Sequence, residues 1–189
     1  MEQRESASPR ESDPERVHPR ACSRGDAEPR VSETNCHPFV HDSFAFMHNG
    51  DVGGFARVRR PLLASLSDEA FGAIQGATDS EHAFALFLER VLAHGRDATA
   101  AQMVDALRRT VTDLVELVER HAPGEHSYLN IALSNGRTSL VTRFSTEPDY
   151  EGESLHLHRG ARYVCDHGVC RMVDPDAEGF AVIAYGKRQ

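Results

Sequence analysis

Apolar and polar residues change rhythm twice along this chain, and each change marks a different kind of element. Ser43-Phe44-Ala45-Phe46-Met47-His48 is a short, aromatic-rich run that reads as a buried strand. Asn49-Gly50 follows it and predicts a sharp turn, because both residues tolerate positive φ. Gly53-Gly54 then opens a helical stretch over roughly 55–66, with Val58, Leu62, Leu63 and Leu66 on one side and Pro61 in its early turns. Ser67 and Asp68 cap a short helical piece that stops near Gly76.

Two longer helices follow. Thr78-x-x-Glu81 has capping-box spacing, Phe84, Phe87, Leu88, Val91 and Leu92 recur at helical intervals, and Gly95 is a natural stop. Thr99-x-x-Gln102 is a second box, and Met103, Leu107, Val111, Leu114 and Val118 form one apolar face up to about His121, before Pro123-Gly124. From Tyr128 the period falls to two. Runs at 128–133 and 139–144 flank Asn135-Gly136, the strongest short hairpin signal. Leu155 to His158 alternates, 162–165 and 169–173 look like another hairpin, and 180–184 is a buried strand. Strand, then helices, then strands favours an α+β layered domain over a doubly wound one.

Composition changes this picture at one end. Residues 1–35 hold only seven hydrophobic residues, no aromatics, and four of the nine prolines, with eight acids and six bases interspersed. Such a stretch buries too little apolar surface to offset its ordering entropy. The chain of 189 residues is the size of one domain. Its net charge of −8 argues against nucleic-acid or anionic-membrane partners. No apolar run approaches the ~18 residues of a spanning helix. The first sixteen residues carry no signal-peptide core, so the expected location is cytoplasmic, with the four cysteines reduced.

Three segments carry candidate chemistry: Asn35-Cys36-His37-Pro38-Phe39, Met47-His48-Asn49-Gly50 and Thr78-Asp79-Ser80-Glu81. Singly, each has a plain structural explanation: a structural histidine, a turn and a helix cap. His48 reads as a core residue rather than a base. Cys165-x-His167-x-x-Cys170, with His156 and His158 nearby, invites a zinc reading, but it lacks the Cys-x-x-Cys pair and spans a hairpin, so neither a metal nor a cofactor is expected.

Taken in order, NCHPF, FMHNG, GGF and TDSE resemble the class II glutamine amidotransferases, and more narrowly the branch that cleaves γ-glutamyl amides of small thiol-related compounds. The resemblance extends over about residues 17–184 and includes the two late hairpins and the closing FAVIA strand. It implies the N-terminal-nucleophile hydrolase fold, a four-layer αββα sandwich. It also implies a reaction in which an N-terminal cysteine attacks the γ-amide and its own α-amine acts as base. By the same resemblance, Asn49 (side-chain amide) and Gly50 (backbone N–H) form the oxyanion hole. Asp79 holds the substrate's α-ammonium, Arg20 grips its α-carboxylate, and His37 belongs to the same substrate-binding group.

Departures from the family pattern set the remaining expectations. The sequence begins Met1-Glu2-Gln3 instead of Met-Cys, and the family's first strands have no counterpart before His18. Cys22 and Cys36 are internal and lack an α-amine. The C-terminal strand runs into Tyr185-Gly186-Lys187-Arg188-Gln189 and stops. These features predict a polar leader at 1–16 and a partial domain over 17–189 that retains substrate-binding motifs and has no glutaminase activity by itself. The alternative is a pseudoenzyme that binds glutamine or a γ-glutamyl ligand and regulates a protein partner.

Overall fold

Alternation of apolar and polar residues builds the principal sheet. In the computed structural model, residues 32–150 are described, together with the backbone of strands at 154–159, 162–166, 169–173 and 181–186. A 3₁₀ turn at Glu33–Asn35 leads into β1 (Phe39–His41) and β2 (Phe44–Asp51), which pair with β3 (Tyr128–Ser134) and β4 (Ser139–Val141) in one antiparallel sheet of order β1-β2-β3-β4. Phe44, Phe46 and His48 of β2 and Leu129, Ile131 and Leu133 of β3 are buried on one face. Met47 and Asn49 lie on the other face and are exposed.

The sheet departs from the sequence expectation at Asn49-Gly50. These residues do not turn; the ladder continues past them, pairing Asn49 with Asn130, Gly50 with Leu129 and Asp51 with Tyr128. Seven consecutive pairs with β3 override the local turn preference. Gly50 makes this possible. Its φ is +142°, and a Cβ there would lie 1.8 Å from the Tyr128 carbonyl oxygen. The second Asn-Gly does mark a hairpin, but Ser134 pairs with Ser139, so the loop holds four residues.

The helices cover the buried face. α1 (Phe55–Leu63) starts at Gly54, whose φ is +57°, and buries Val58 and Leu62 one turn apart. Pro61 sits in its last turn rather than an early one, and the helix ends two residues later. α2 (Asp68–Gly72) is capped by Ser67 as expected. α3 (Asp79–Leu92) is buried on nearly every side, with Phe84 stacked on Phe46 at 5.2 Å and Phe87 edge-on to Phe44 at 5.7 Å. α4 (Ala100–His121) packs on α3 and α1 and buries Met103, Ala106, Leu107, Leu114 and Val118, and Arg90 of α3 pairs with Asp113 of α4 at 2.7 Å.

The two helix caps differ. Thr99 and Gln102 form the full reciprocal box. Thr78 accepts from the Glu81 N–H at 3.2 Å, but the Glu81 carboxylate accepts from Gln75 N–H and Gly76 N–H instead, at 2.8 Å each. The second Glu81 contact ties α3 to the loop before it.

Beyond residue 150, β5 (Ser154–Arg159) pairs with β8 (Ala181–Gly186), and β6 (Arg162–Asp166) with β7 (Val169–Val173), both antiparallel. The expectation of mixed helix and antiparallel sheet holds. The 1–16 leader lies outside the described residues. No helix among the described residues is long and apolar enough to cross a membrane.

One buried histidine makes the first turn of α3 pH-sensitive. His82 is fully buried; its Nδ1–H donates to the Thr78 carbonyl at 2.7 Å, and its Nε2 accepts from Arg59 Nε–H at 3.1 Å. Burial holds its pKa below the usual value, and burial does the same to His37. The unfolded chain therefore binds protons that the folded chain refuses, so stability is full above about pH 6.5 and is lost as pH falls through the folded values. Thermal melts are expected to show a lower midpoint at mildly acidic pH than at neutral pH. The pH slope should be smaller in His82→Asn, whose amide can keep both contacts; an unchanged slope would show that His82 does not carry the effect.

Candidate active site

Backbone alternation brings three of the five sequence-predicted site residues to one strand edge. Leu129 N–H donates to Phe144 O and Thr142 N–H donates to Ile131 O, each at 2.8 Å, so the amide groups of Leu129 and Ile131 turn toward β4. Their partners in β2 are Gly50 and His48. In an antiparallel ladder those residues turn their own N–H groups away from β3. β1 pairs only with Phe44 to Phe46, so among the described residues no strand of this sheet covers the edge of β2 beyond Phe46.

Side chains take two of the N–H groups on this edge. His48 N–H reaches His37 Nε2 at 3.4 Å, and Val52 N–H donates to Asp79 Oδ2 at 2.9 Å. The Gly50 N–H lies between them in the same row. His37, Gly50 and Asp79 thus converge, although they come from the segment before β1, from β2 and from the start of α3. Asn49 contributes differently: its side chain stands on the exposed sheet face, next to the Gly50 edge.

Asp79 is held firmly. It is 5% exposed and is the first residue of α3, where the helix dipole favours a carboxylate. Besides Val52, it accepts from Ser80 N–H at 2.7 Å and lies 3.3 Å from the Ser80 hydroxyl. Ser80 in turn lies 2.9 Å from His48 Nδ1. His48 Nε2 lies 2.9 Å from the Tyr128 carbonyl, which can only accept, so the imidazole carries a proton on Nε2. A chain of polar groups therefore runs from Asp79 through Ser80 and His48 to Tyr128. Sequence reading treated His48 as a core residue, and its 4% exposure agrees.

The first and third motifs also brace each other. Asn35 Oδ1 accepts from Ala77 N–H at 3.0 Å. A Cβ on Gly76 would lie 2.4 Å from that same oxygen and 2.9 Å from Glu81 Oε2. The NCHPF segment therefore fixes the loop that delivers Asp79. Cys36 is not positioned as an N-terminal nucleophile: its amide donates to Glu33 O, and its thiol donates to Ser32 O at 3.1 Å.

Arg20 lies outside the described residues. Cys165 and Cys170 are paired across β6–β7, but their side chains and His167 are likewise outside the description. Among the described residues, no three His, Cys, Asp or Glu side chains gather as a metal-binding group. A separate cleft of about 480 Å³ lies between α4 and β4, lined by Val104, Leu107, Arg108, Leu140 and Arg143 among others, and includes none of the site residues.

Sequence reasoning missed Asn130. It is 4% exposed, and its side-chain amide donates to the Asn49 carbonyl at 2.9 Å. The signal was a polar residue between Leu129 and Ile131, in a run otherwise apolar on both sides.

Comparison with known proteins gives the same assignment. Residues 17–176 match the family model for class II glutamine amidotransferases. Over 145 residues the chain is 38% identical to the probable glutamine amidotransferase DUG3 of Saccharomyces cerevisiae, spanning 71% of this chain and 41% of that protein. The structure of a glutamine aminotransferase class-II domain protein from Silicibacter pomeroyi superposes with a TM-score of 0.56 and 34% identity, covering 67% of this chain and 55% of that one. The chain thus spans about half the length of the relatives it matches. With the motifs, their convergence and these likenesses in agreement, this chain belongs to the class II glutamine amidotransferases.

Proposed function

We propose that this domain binds a γ-glutamyl amide at the β2 edge and belongs to the amidohydrolase reaction of its family. Asn49 and Gly50 offer N–H donors to the oxygen of the scissile amide, where negative charge develops as a thiolate adds to the carbonyl carbon. Asp79 supplies the negative charge for the α-ammonium, and Arg20 the positive charge for the α-carboxylate. In the family reaction the tetrahedral adduct collapses to a cysteinyl thioester as ammonia leaves, and water then releases glutamate. The full αββα layering is part of this proposal. The exposed side chains of Val40 and Met47, opposite the helices, are consistent with a second sheet covering that face.

The convergence of His37, Gly50 and Asp79 on one edge carries this reading. The four cysteines stand at 22, 36, 165 and 170, and in this reading none of them is the family's nucleophile with its own α-amine. Residues 1–189 alone are expected to bind glutamine in calorimetry and to release no glutamate from it. Glutamate release blocked by a thiol reagent would overturn the assignment of the nucleophile. Absence of binding to glutamine and to γ-glutamyl thiol peptides would overturn the site.

A further inference from the structure

We infer that Asn130 is a positioning residue for the oxyanion donors, acting through the peptide unit between Asn49 and Gly50. This rests on the role proposed above for Gly50. The Asn49 carbonyl and the Gly50 N–H belong to the same peptide plane. The peptide is trans, so they point in opposite directions. Asn49 and Asn130 are direct partners in the ladder, and the Asn130 amide donates to the Asn49 carbonyl at 2.9 Å. Whatever fixes the carbonyl end therefore aims the N–H end at the open edge.

The need for such a fixing contact follows from Gly50 itself. Glycine at φ +142° has more accessible backbone conformations than any other residue would have there. In the ladder this plane is held at its carbonyl by the Asn130 N–H, and a further donor on the same oxygen narrows its remaining freedom to rotate. Packing restrains one side, since the Gly50 Cα approaches the Tyr128 carbonyl too closely for a Cβ to fit. The Asn130 side chain supplies the further restraint, and the residue is itself 4% exposed. Donation to the Asn49 carbonyl also polarises the peptide and makes the Gly50 N–H a stronger donor. Leu129 and Ile131, on either side, serve the core; Asn130 faces the opposite side of the sheet, where Asn49 stands.

The test uses the full 189-residue chain labelled for amide NMR, with L-glutamine and L-glutamate as probes. Glutamate carries a γ-carboxylate and so presents the negative oxygen that the donors are meant to meet. In unliganded Asn130→Ala, the Gly50 amide resonance is expected to move more than those of α3 and α4, and its hydrogen exchange to accelerate at least tenfold. With ligand, affinity for glutamate is expected to fall by a larger factor than affinity for glutamine. A merely structural role would weaken both equally. If Asn130→Ala does not fold, Asn130→Asp serves in the unliganded experiment: it keeps the shape and removes the donor. An unmoved Gly50 resonance, or an equal loss for both ligands, would overturn the inference. If wild-type protein binds neither ligand, the functional reading fails instead, and the unliganded shift and exchange still decide the role of Asn130.

Discussion

Replacing Gly50 with alanine is expected to destabilise the domain by about 3 kcal/mol or more and to abolish ligand binding with it. Two causes act together. The backbone φ of +142° is one that an L-residue rarely adopts, and the new methyl group would sit 1.8 Å from Tyr128 O and 2.7 Å from Tyr128 C. Tyr128 cannot withdraw freely, because its carbonyl also holds His48 Nε2 at 2.9 Å. Either the β2–β3 ladder separates or the His48 contact breaks, and with it the link through Ser80 to Asp79. The control is Gly72→Ala, where nothing lies within 4 Å of the added carbon. That change should be neutral or stabilise by up to about 1 kcal/mol. Thermal or urea unfolding of both variants measures the contrast. A Gly50→Ala protein that melts within a degree or two of wild type would show that β2 does not depend on this contact.

The second large effect concerns charge. Asp79→Asn is expected to weaken glutamine binding at least tenfold, equivalent to about 1.4 kcal/mol or more. The carboxylate accepts from Val52 and Ser80, and an amide in its place must turn one N–H toward a donor. A stability cost of about 1–3 kcal/mol is expected as well. Structural damage and loss of the ammonium partner can be separated with glutaramic acid, which is glutamine without its α-amine. If Asp79 holds the ammonium, the substitution weakens glutamine and leaves the weak glutaramate binding nearly unchanged. An equal loss for both would show that Asp79 acts only by holding Val52 and the start of α3.

Much of this was legible wherever local chemistry sets the structure. Thr78 and Thr99 marked the starts of α3 and α4, because a hydroxyl before an apolar periodic run satisfies otherwise unpaired N–H groups. The aromatic-rich run at 43–48 marked β2 as a strand, and Phe44 and Phe46 are buried in it. Local rules failed where distant strands decide. Asn49-Gly50 has the composition of a turn, yet β3, about eighty residues away, extends the strand through it. Thr78-x-x-Glu81 has the spacing of a reciprocal cap, yet Glu81 spends its carboxylate on Gln75 and Gly76. The motif order singled out His37, Gly50 and Asp79, which the fold brings to one strand edge. Only the ladder, however, shows that His37 and Asp79 accept from the N–H groups on either side of Gly50. Asn130 was hidden for the same reason: its partner lies 81 positions away.

In the proposed function the γ-glutamyl ligand sits at the β2 edge between His37 and Asp79. Amide NMR of the 189-residue chain titrated with glutamine tests it most directly. The largest shifts are expected on His48, Gly50, Val52 and Ser80. Shifts confined to the cleft around Arg108 and Arg143, or no shifts at saturating glutamine, would contradict it.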